Sequence, residues 1–232
     1  MKFLKEWGIF LIIVIAALVH FGSTLLAPNA PMNSTAGTIQ LWNNARVDGN
    51  SMDPTLADGQ RLFMSKTGTL HRFDVIVAKE TTEQTQKNDP SATSGVTIVK
   101  RIIGMPGDTI TYKNDVLYIN GTKTDEPYLA SYLKLFEANQ LADHYASLPL
   151  TGNLSDAQRA GFVQLAKNSN AFTTDNTGNP NFTVTVPAGH YFLIGDDRVV
   201  SADSRKVGSF SADQILGKVM FRFWPLNRFG GI

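Results

Sequence analysis

A run of β-branched and apolar residues in the middle of the chain places the strongest limit on its fold. Residues 97–103 read Thr-Ile-Val-Lys-Arg-Ile-Ile and lead into the turn residues Pro106-Gly107-Asp108. A short, nearly continuous apolar run before a turn is typical of a strand that is covered on both faces. The chain is therefore expected to form a layered domain rich in β-strands. Within this run stands Lys100, whose charged amine is costly to bury.

Further short segments with strand character surround this run. Each is apolar or alternating and is bounded by turn residues, which is the pattern of a strand in a sheet. These segments are 39–47, 61–64, 73–78, 182–186, 191–194 and 219–224, together with a hairpin formed by 109–112 and 116–119. The polar residues 81–95 predict an exposed hairpin loop. The predicted fold class is therefore mostly β.

Residues 122–185 interrupt the strand pattern. Apolar residues recur at helical spacing in two places, around residues 132–141 and 162–166. Ser155 is suited to cap the second helix, although Gly161 weakens that helix. We therefore predict a main β domain interrupted by a subdomain that contains helices. The predicted boundaries are 39–121 and 186–232 for the β domain and 122–185 for the inserted subdomain.

The N-terminus carries an apolar segment of membrane length. Residues 8–19 contain no charge, and the apolar character continues for about the ~20 residues that cross a bilayer. Lys2 and Lys5 precede the segment and no basic residue flanks its other end, so the start of the chain is expected in the cytoplasm. We predict one transmembrane helix within residues 1–27 and a linker over 28–38. A cleavable signal peptide is the alternative, but the apolar run is long for one.

Composition excludes several classes of function. The chain of 232 residues has no cysteine, so thiol catalysis, disulfides and thiolate metal sites are excluded. Its four histidines are scattered without ligand spacing, and neither a metal nor another cofactor is expected. Without the three charged residues of the N-terminal segment, 19 basic and 19 acidic residues remain, so charge gives no support for nucleic-acid binding.

Ser51 and Lys100 are the candidates for chemistry. Ser51 lies in a turn-like sequence after a strand-like stretch, and no histidine stands in a setting typical of its usual base. A lysine can take that role when it is neutral, because burial disfavours the charged form and lowers the pKa. Arg101 is expected on the opposite face of the strand, where its charge would lower that pKa further. The alternative is an edge-strand lysine that reaches solvent, which the residues alone favour.

A third segment, residues 195–205, follows an apolar strand and is rich in charged and hydroxyl groups. It reads as a loop tied by hydrogen bonds between aspartate and arginine side chains. Loops held in this way often position a site. A solvated turn explains the same composition equally well.

These segments resemble, in order, the motifs of bacterial type I signal peptidases. The resemblance covers most of the chain apart from residues 28–38 and about 122–185. It includes the N-terminal anchor, and it overrules the edge-strand interpretation of Lys100. The matching motifs are Ser51-Met52-x-Pro54-Thr55-Leu56, Phe73 to Val77, Lys100 to Asp108, and Gly195-Asp196-x-Arg198 with Ser201-x-Asp203-Ser204-Arg205.

The resemblance implies a serine peptidase with a signal-peptidase-like β domain and a Ser/Lys dyad. Ser51 would be the nucleophile and Lys100 the general base. Ser201 matches the hydroxyl that orients the lysine amine. Asp203 and Arg205 match an ion pair that supports the site.

The resemblance leaves the oxyanion site incomplete. Such a site would use the backbone N–H of Ser51 and a donor near position 49. This chain has Gly49, similar to the Gram-positive type, so the second donor must be another group. Asp197 replaces an asparagine common in the family, and we expect little catalytic effect from that change.

The implied substrate is a secreted preprotein with small residues at the −1 and −3 positions, from which the enzyme removes the signal peptide. Such a substrate would bind as an extended strand, flanked by the strands before Ser51 and Lys100. Four apolar residues are candidates for the walls of a shallow pocket, with plain core packing as the alternative for each. They are Met52, Leu56, Ile98 and Val99.

The same resemblance implies a single-pass protein of the cell membrane with an extracytoplasmic catalytic domain. The lipid bilayer and the secretion translocon are therefore further candidate partners. Two other functions fit some of the residues: a soluble Ser/Lys autoprotease of the repressor type, and an anchored β module without activity. The apolar N-terminal segment argues against the first, and the presence of both Ser51 and Lys100 argues against the second.

Overall fold

The computed structural model describes residues 42–151 and 153–232, and these residues form a mostly β domain. The strands are β1 (Trp42–Arg46), β2 (Arg61–Ser65), β3 (Val75–Lys79), β4 (Thr97–Gly104), β5 (Thr109–Lys113), β6 (Val116–Ile119), β7 (Thr122–Thr124), β8 (Asn181–Thr185), β9 (His190–Ile194), β10 (Phe210–Ser211) and β11 (Ile215–Trp224). The α-helices are α1 (Thr82–Gln86), α2 (Ala130–Glu137), α3 (Leu141–Ser147), α4 (Asp156–Asn168) and α5 (Ser204–Val207). Short 3-10 helices lie at Pro127–Leu129, Ala212–Gln214 and Leu226–Arg228.

The strands form two antiparallel sheets. The larger sheet has the order β1-β2-β11-β3-β4-β9-β10, so that β4 is an inner strand. The smaller sheet has the order β7-β6-β5-β8, and its centre is the predicted hairpin of β5 and β6. Two of its strands, β7 and β8, lie inside the segment 122–185. The boundaries of the inserted subdomain stay a prediction.

The strand β4 is covered on both faces, as its sequence predicts. Successive side chains of a strand point to opposite faces. Val99 accordingly packs against one apolar cluster, which includes Val77, whereas Ile98 and Ile102 pack against another, which includes Ile76. A third cluster joins the end of β4 to the smaller sheet. Its buried members are Ile103, Ile110, Tyr112, Leu117, Ile119, Val186, Phe192 and Ile194.

The helices α2, α3 and α4 form a cluster of their own within residues 122–185. Its buried residues are Leu129, Tyr132, Leu141, Tyr145 and Phe172. Ser155 caps α4 as predicted: its side chain accepts a hydrogen bond from the Gln158 backbone, and the Gln158 side chain accepts one from the Ser155 N–H. This reciprocal capping box satisfies two backbone donors that the start of a helix leaves free.

The prediction of an exposed hairpin loop at 81–95 is confirmed only in part. The segment does connect the antiparallel strands β3 and β4, but it contains the short helix α1. Thr81 caps this helix through another capping box with Gln84. Thr85 is buried and donates to the carboxylate of Glu80 at 2.8 Å, which fixes the helix against the end of β3.

The predicted membrane segment 1–27 and linker 28–38 lie outside the described residues. Among residues 42–151 and 153–232, none of the helices combines the length and the apolar character that crossing a bilayer requires.

Gly104, at the end of β4, marks the tightest packing between the two sheets. A Cβ atom at this position would lie 2.6 Å from Val186 Cγ2 and 2.9 Å from Phe192 Cβ. We expect Gly104→Ala to lower the free energy of unfolding by about 1–3 kcal/mol, because an overfilled core must shift to relieve the contact. Urea unfolding followed by circular dichroism measures this change.

Gly161→Ala is the matched control for Gly104→Ala. Gly161 lies in α4, and a Cβ atom there meets nothing within 4 Å. The same substitution should therefore raise the free energy of unfolding by about 0.5–1 kcal/mol, since alanine favours a helix over glycine. Equal effects at both positions would contradict the packing described for Gly104.

Candidate active site

The side chains of Ser51, in the turn after β1, and Lys100, in β4, are in contact. Lys100 Nζ lies 2.7 Å from Ser51 Oγ and donates a second hydrogen bond to the Val99 carbonyl at 3.1 Å. Lys100 is 3% exposed, whereas Ser51 is half-buried. The amine is buried and does not reach solvent, so the alternative of a solvent-exposed lysine at a strand edge is wrong. A serine hydroxyl and a buried amine in contact are the elements of a nucleophile with its own base.

The surroundings of Lys100 favour a neutral amine. Burial lowers the pKa of Lys100 to about 8, against the opposing effect of the Asp203 and Glu80 carboxylates, which raise it. Arg205 supplies a positive charge that lowers the pKa further. The sequence-based expectation assigned this effect to Arg101, whose guanidinium is instead held by a carboxylate.

That carboxylate belongs to Asp196, and it joins three segments of the chain. Arg101 donates to it through Nε at 2.8 Å and through Nη2 at 2.6 Å. Thr55 Oγ1 donates to the same carboxylate at 2.5 Å. The guanidinium also lies over the ring of Tyr128, 4.0 Å from its centroid. Arg101 thus connects the turn that contains Ser51 to the loop that follows β9.

That loop is itself held by a second buried ion pair. Arg205 donates to Asp203 through Nε and Nη2, each at 2.8 Å, and the Asp203 carboxylate also accepts the Gly195 N–H at 3.0 Å. Burial favours the neutral acid, but the charge and hydrogen bonds of Arg205 outweigh it and hold the pKa of Asp203 low. Arg198 points elsewhere and forms an ion pair with Glu126. The loop is therefore a fixed structure and not a solvated turn.

Comparison with known proteins identifies the family. The family model described as signal peptidase, peptidase S26, matches residues 4–224. The chain belongs to the signal peptidase family, peptidase S26.

Two sequence relatives agree with this assignment. A signal peptidase I of Streptococcus pneumoniae is 47% identical over 229 residues, which cover 99% of this chain and 97% of the relative. A signal peptidase IB of Staphylococcus aureus is 35% identical over 232 residues, which cover 98% of this chain and 93% of the relative. A crystal structure of a signal peptidase I from Enterococcus faecalis has a TM-score of 0.39 and 27% identity, over 65% of this chain and 97% of that one.

Ser201 does not make the contact expected of it in this peptidase. The amine of Lys100 is hydrogen-bonded to Ser51 and to the Val99 carbonyl, whereas the buried hydroxyl of Ser201 interacts with the Asp203 carboxylate and helps to lower its pKa. The hydroxyl nevertheless borders the site, because a Cβ at Gly195 would lie 2.2 Å from Ser201 Oγ and 2.4 Å from the Ser51 carbonyl oxygen. Glycine at 195 lets these two segments approach each other.

The backbone around Ser51 is held by acidic side chains. Gly49 has a φ of +92°, which glycine adopts readily, and its N–H donates to Asp58 at 2.8 Å. Asn50 donates to Asp53 at 2.7 Å, and burial raises the pKa of Asp53 to about 6. Since the Gly49 N–H already has an acceptor, it does not serve as the missing second oxyanion donor.

The four predicted pocket residues differ in burial and in the face of the sheet they occupy, and their role toward a substrate stays a prediction. Met52 and Leu56 are 1% and 0% exposed and pack in the apolar core. Ile98 and Val99 are half-buried, but as neighbours on β4 they face opposite sides of the sheet. The sequence does not show in which direction the turn at Ser51 points the apolar side chains that follow it.

The contacts of several polar residues in the site are not predicted by the sequence. Asp197 is fully buried and accepts a hydrogen bond from Tyr145 at 2.6 Å, and burial raises the pKa of this carboxyl to about 8. Tyr145 comes from the helical segment, far from any motif, so no pattern in the sequence indicates the contact. The contact of Asp196 with Thr55 and Arg101 was more accessible to sequence reasoning, because each of the three residues lies in a different one of the matching motifs.

The charges around Lys100 predict opposite effects of two substitutions. Asp203→Asn removes a negative charge that raises the pKa of Lys100, so that pKa should fall. Arg205→Gln removes a positive charge that lowers it, so the pKa of Lys100 should rise. NMR titration of the lysine side chains measures both shifts, with circular dichroism to verify folding. Shifts in the same direction would contradict this description of the site.

Proposed function

We propose that this peptidase removes signal peptides from secreted preproteins with Ser51 as nucleophile and Lys100 as general base. The observation that carries the proposal is the 2.7 Å contact between Ser51 Oγ and a lysine amine that is almost fully buried. A base is most effective when its pKa lies near the working pH. The pKa of about 8 for Lys100 meets that condition.

The reaction follows from these two groups. Neutral Lys100 takes the proton of the Ser51 hydroxyl as its oxygen attacks the scissile carbonyl carbon. The protonated amine then gives that proton to the leaving nitrogen, and the signal peptide remains as an ester on Ser51. Lys100, neutral again, takes a proton from water, which attacks the ester; the amine then returns this proton to Ser51 Oγ as the signal peptide leaves as a carboxylic acid.

The negative oxygen of each tetrahedral intermediate needs hydrogen-bond donors. We assign the Ser51 N–H to this role. It has no acceptor among residues 42–151 and 153–232, and it is attached to the nucleophile itself.

The substrate would bind as an extended strand beside β4. Within the described residues, β9 pairs with β4 from Arg101 onward, which leaves residues 97–100 without a strand on that side. Such an edge offers backbone hydrogen bonds to a peptide, as in strand addition. Of the four pocket candidates, Ile98 and Val99 belong to this edge. The family relation supports small residues at the −1 and −3 positions of the preprotein.

We further propose that residues 1–27 anchor the peptidase in the cell membrane, with the catalytic domain outside the cytoplasm. The uncharged apolar run and the preceding Lys2 and Lys5 support this topology. An apolar surface at the end of β11 also favours the lipid bilayer as a partner. Its most exposed members are Trp224 at 50%, Leu226 at 72% and Phe229 at 63%.

Ser51→Ala and Lys100→Met should each lower the rate of preprotein cleavage by at least about a thousandfold, since the two groups act together. Neither change removes a core contact, so both variants should fold. Cleavage is measured with a purified preprotein and resolved by gel electrophoresis. Lys79→Met, at the exposed end of β3, is the matched control and should keep its activity. Cleavage retained by either dyad variant would exclude the mechanism.

The pH dependence of cleavage should show the titration of Lys100. Its pKa in the folded protein is about 8, below the ordinary 10.5, and the reactive form is the neutral one. The value of kcat/KM should therefore fall as the pH is lowered through about 8, by tenfold for each further pH unit. Initial rates between pH 5 and 10 with a fluorogenic peptide test this directly. A rate that stays constant down to pH 6 would argue against a lysine base.

A further inference from the structure

Hydrogen bonds from the helical segment reach two aspartates that bond to the backbone around Ser51. Tyr145, in α3, donates to the Asp197 carboxylate at 2.6 Å. Asn153, between α3 and α4, donates to the Asp58 carboxylate at 2.8 Å. Asp197 is also hydrogen-bonded to the carbonyl of Ser51, and Asp58 to the N–H of Gly49. The helical segment is therefore connected to the backbone around Ser51 through these two aspartates.

The first connection is fully buried. Asp197 is 0% exposed, and its own N–H donates to the carbonyl of Ser51 at 3.2 Å. One carboxyl oxygen accepts the Tyr145 hydroxyl, and the backbone N–H groups of Val199 and Val200 also interact with the carboxyl group. The tyrosine is thus the side-chain contact that orients this carboxyl group. Its loss would leave a buried acid without a side-chain partner, which the surrounding structure would have to relieve by moving.

The second connection lies on the other side of the serine. The Asp58 carboxylate accepts the N–H of Gly49, two residues before Ser51, at 2.8 Å. Asn153 donates to the same oxygen and also to Asp48 at 3.0 Å. This contact is partly exposed, so it should hold the turn less strongly than the buried one.

We propose that the helical segment, residues 130–168, positions the nucleophile, with Tyr145 acting through Asp197 and Asn153 acting through Asp58. Neither Tyr145 nor Asn153 is hydrogen-bonded to the dyad, so both are positioning residues and not catalytic ones. The inference rests on the proposed function, in which Ser51 is the nucleophile. It gives the segment a role in catalysis: the serine oxygen is kept at hydrogen-bond distance from the lysine amine.

Tyr145→Phe tests the buried connection. Removing the hydroxyl should lower kcat for preprotein cleavage roughly tenfold, because small displacements of a reacting group slow a reaction steeply. KM should stay within about twofold, since the substrate edge at β4 is untouched. Tyr132→Phe is the matched control. Its hydroxyl pairs with His144 at 3.0 Å in the same aromatic cluster and is not hydrogen-bonded to Asp197.

The control separates positioning from a loss of stability. Thermal unfolding is measured for both variants, and Tyr132→Phe should keep the kcat of the unchanged peptidase even where its melting temperature falls as far. Equal losses of kcat in the two tyrosine variants would overturn the proposal. A Tyr145→Phe enzyme with unchanged kcat would overturn it as well.

Changes at Asp197 test whether the tyrosine acts through this residue. Asp197→Asn keeps an oxygen that accepts the Tyr145 hydroxyl, so kcat should stay within about twofold. Asp197→Ala removes the acceptor and should lower kcat as far as Tyr145→Phe does. The double variant Asp197→Ala/Tyr145→Phe should then be no slower than either single one. Additive losses would show that the two residues act independently, contrary to the proposal.

Asn153→Ala tests the second connection with little risk to folding, because the side chain is partly exposed. We expect kcat to fall about two- to fivefold at an unchanged melting temperature. Unchanged kcat would remove this connection from the proposal. Ser51→Ala, assayed in parallel, keeps the two hypotheses distinct. If Ser51→Ala still cleaves, the proposed function is wrong; if it is inactive and Tyr145→Phe is unaffected, the positioning role alone is wrong.

Discussion

The buried ion pair between Arg101 and Asp196 is the contact on which the rest of the site depends. It lies at the point where three segments, distant in sequence, meet. Thr55 adds its hydroxyl to the same carboxylate, which connects the turn after Ser51 to the strand that bears Lys100. Removing one member of a buried pair leaves an unpaired charge and typically costs about 3–5 kcal/mol. The position of the serine relative to the lysine is therefore coupled to the stability of the fold.

Lys100 and Arg101 are adjacent basic residues of β4, and the structure accommodates their burial in different ways. Lys100 and Arg101 point to opposite faces of a strand that is covered on both, so each cation is removed from water. Arginine keeps its charge at any physiological pH, and the structure supplies a carboxylate for it. Lysine can lose its proton, and the structure lowers its pKa instead. The sheet thus fixes one residue as a structural cation and leaves the other available as a base.

The sequence predicts the chemistry of this protein better than its geometry. The buried strand at 97–103, the hairpin at 109–119 and the cap at Ser155 follow from local patterns, and the structure confirms them. The pairing of Ser51 with Lys100 required the resemblance to a family, because burial of a lysine cannot be read from its neighbours alone. The core positions of Met52 and Leu56 depend on the direction of a turn, and the bond from Tyr145 depends on how separate segments pack. Neither leaves a periodic signal in the chain.

The free edge of β4 connects substrate binding to the state of the base. Residues 97–100 include Lys100, so a peptide strand added there would exclude water from the amine in the act of binding. Desolvation disfavours the charged form, which means that the pKa of about 8 in the free enzyme would fall further in the complex. Since the lysine is only 3% exposed before any substrate binds, the fold itself supplies nearly all of the desolvation that makes the amine a base, and a bound preprotein would add only what the free edge leaves open.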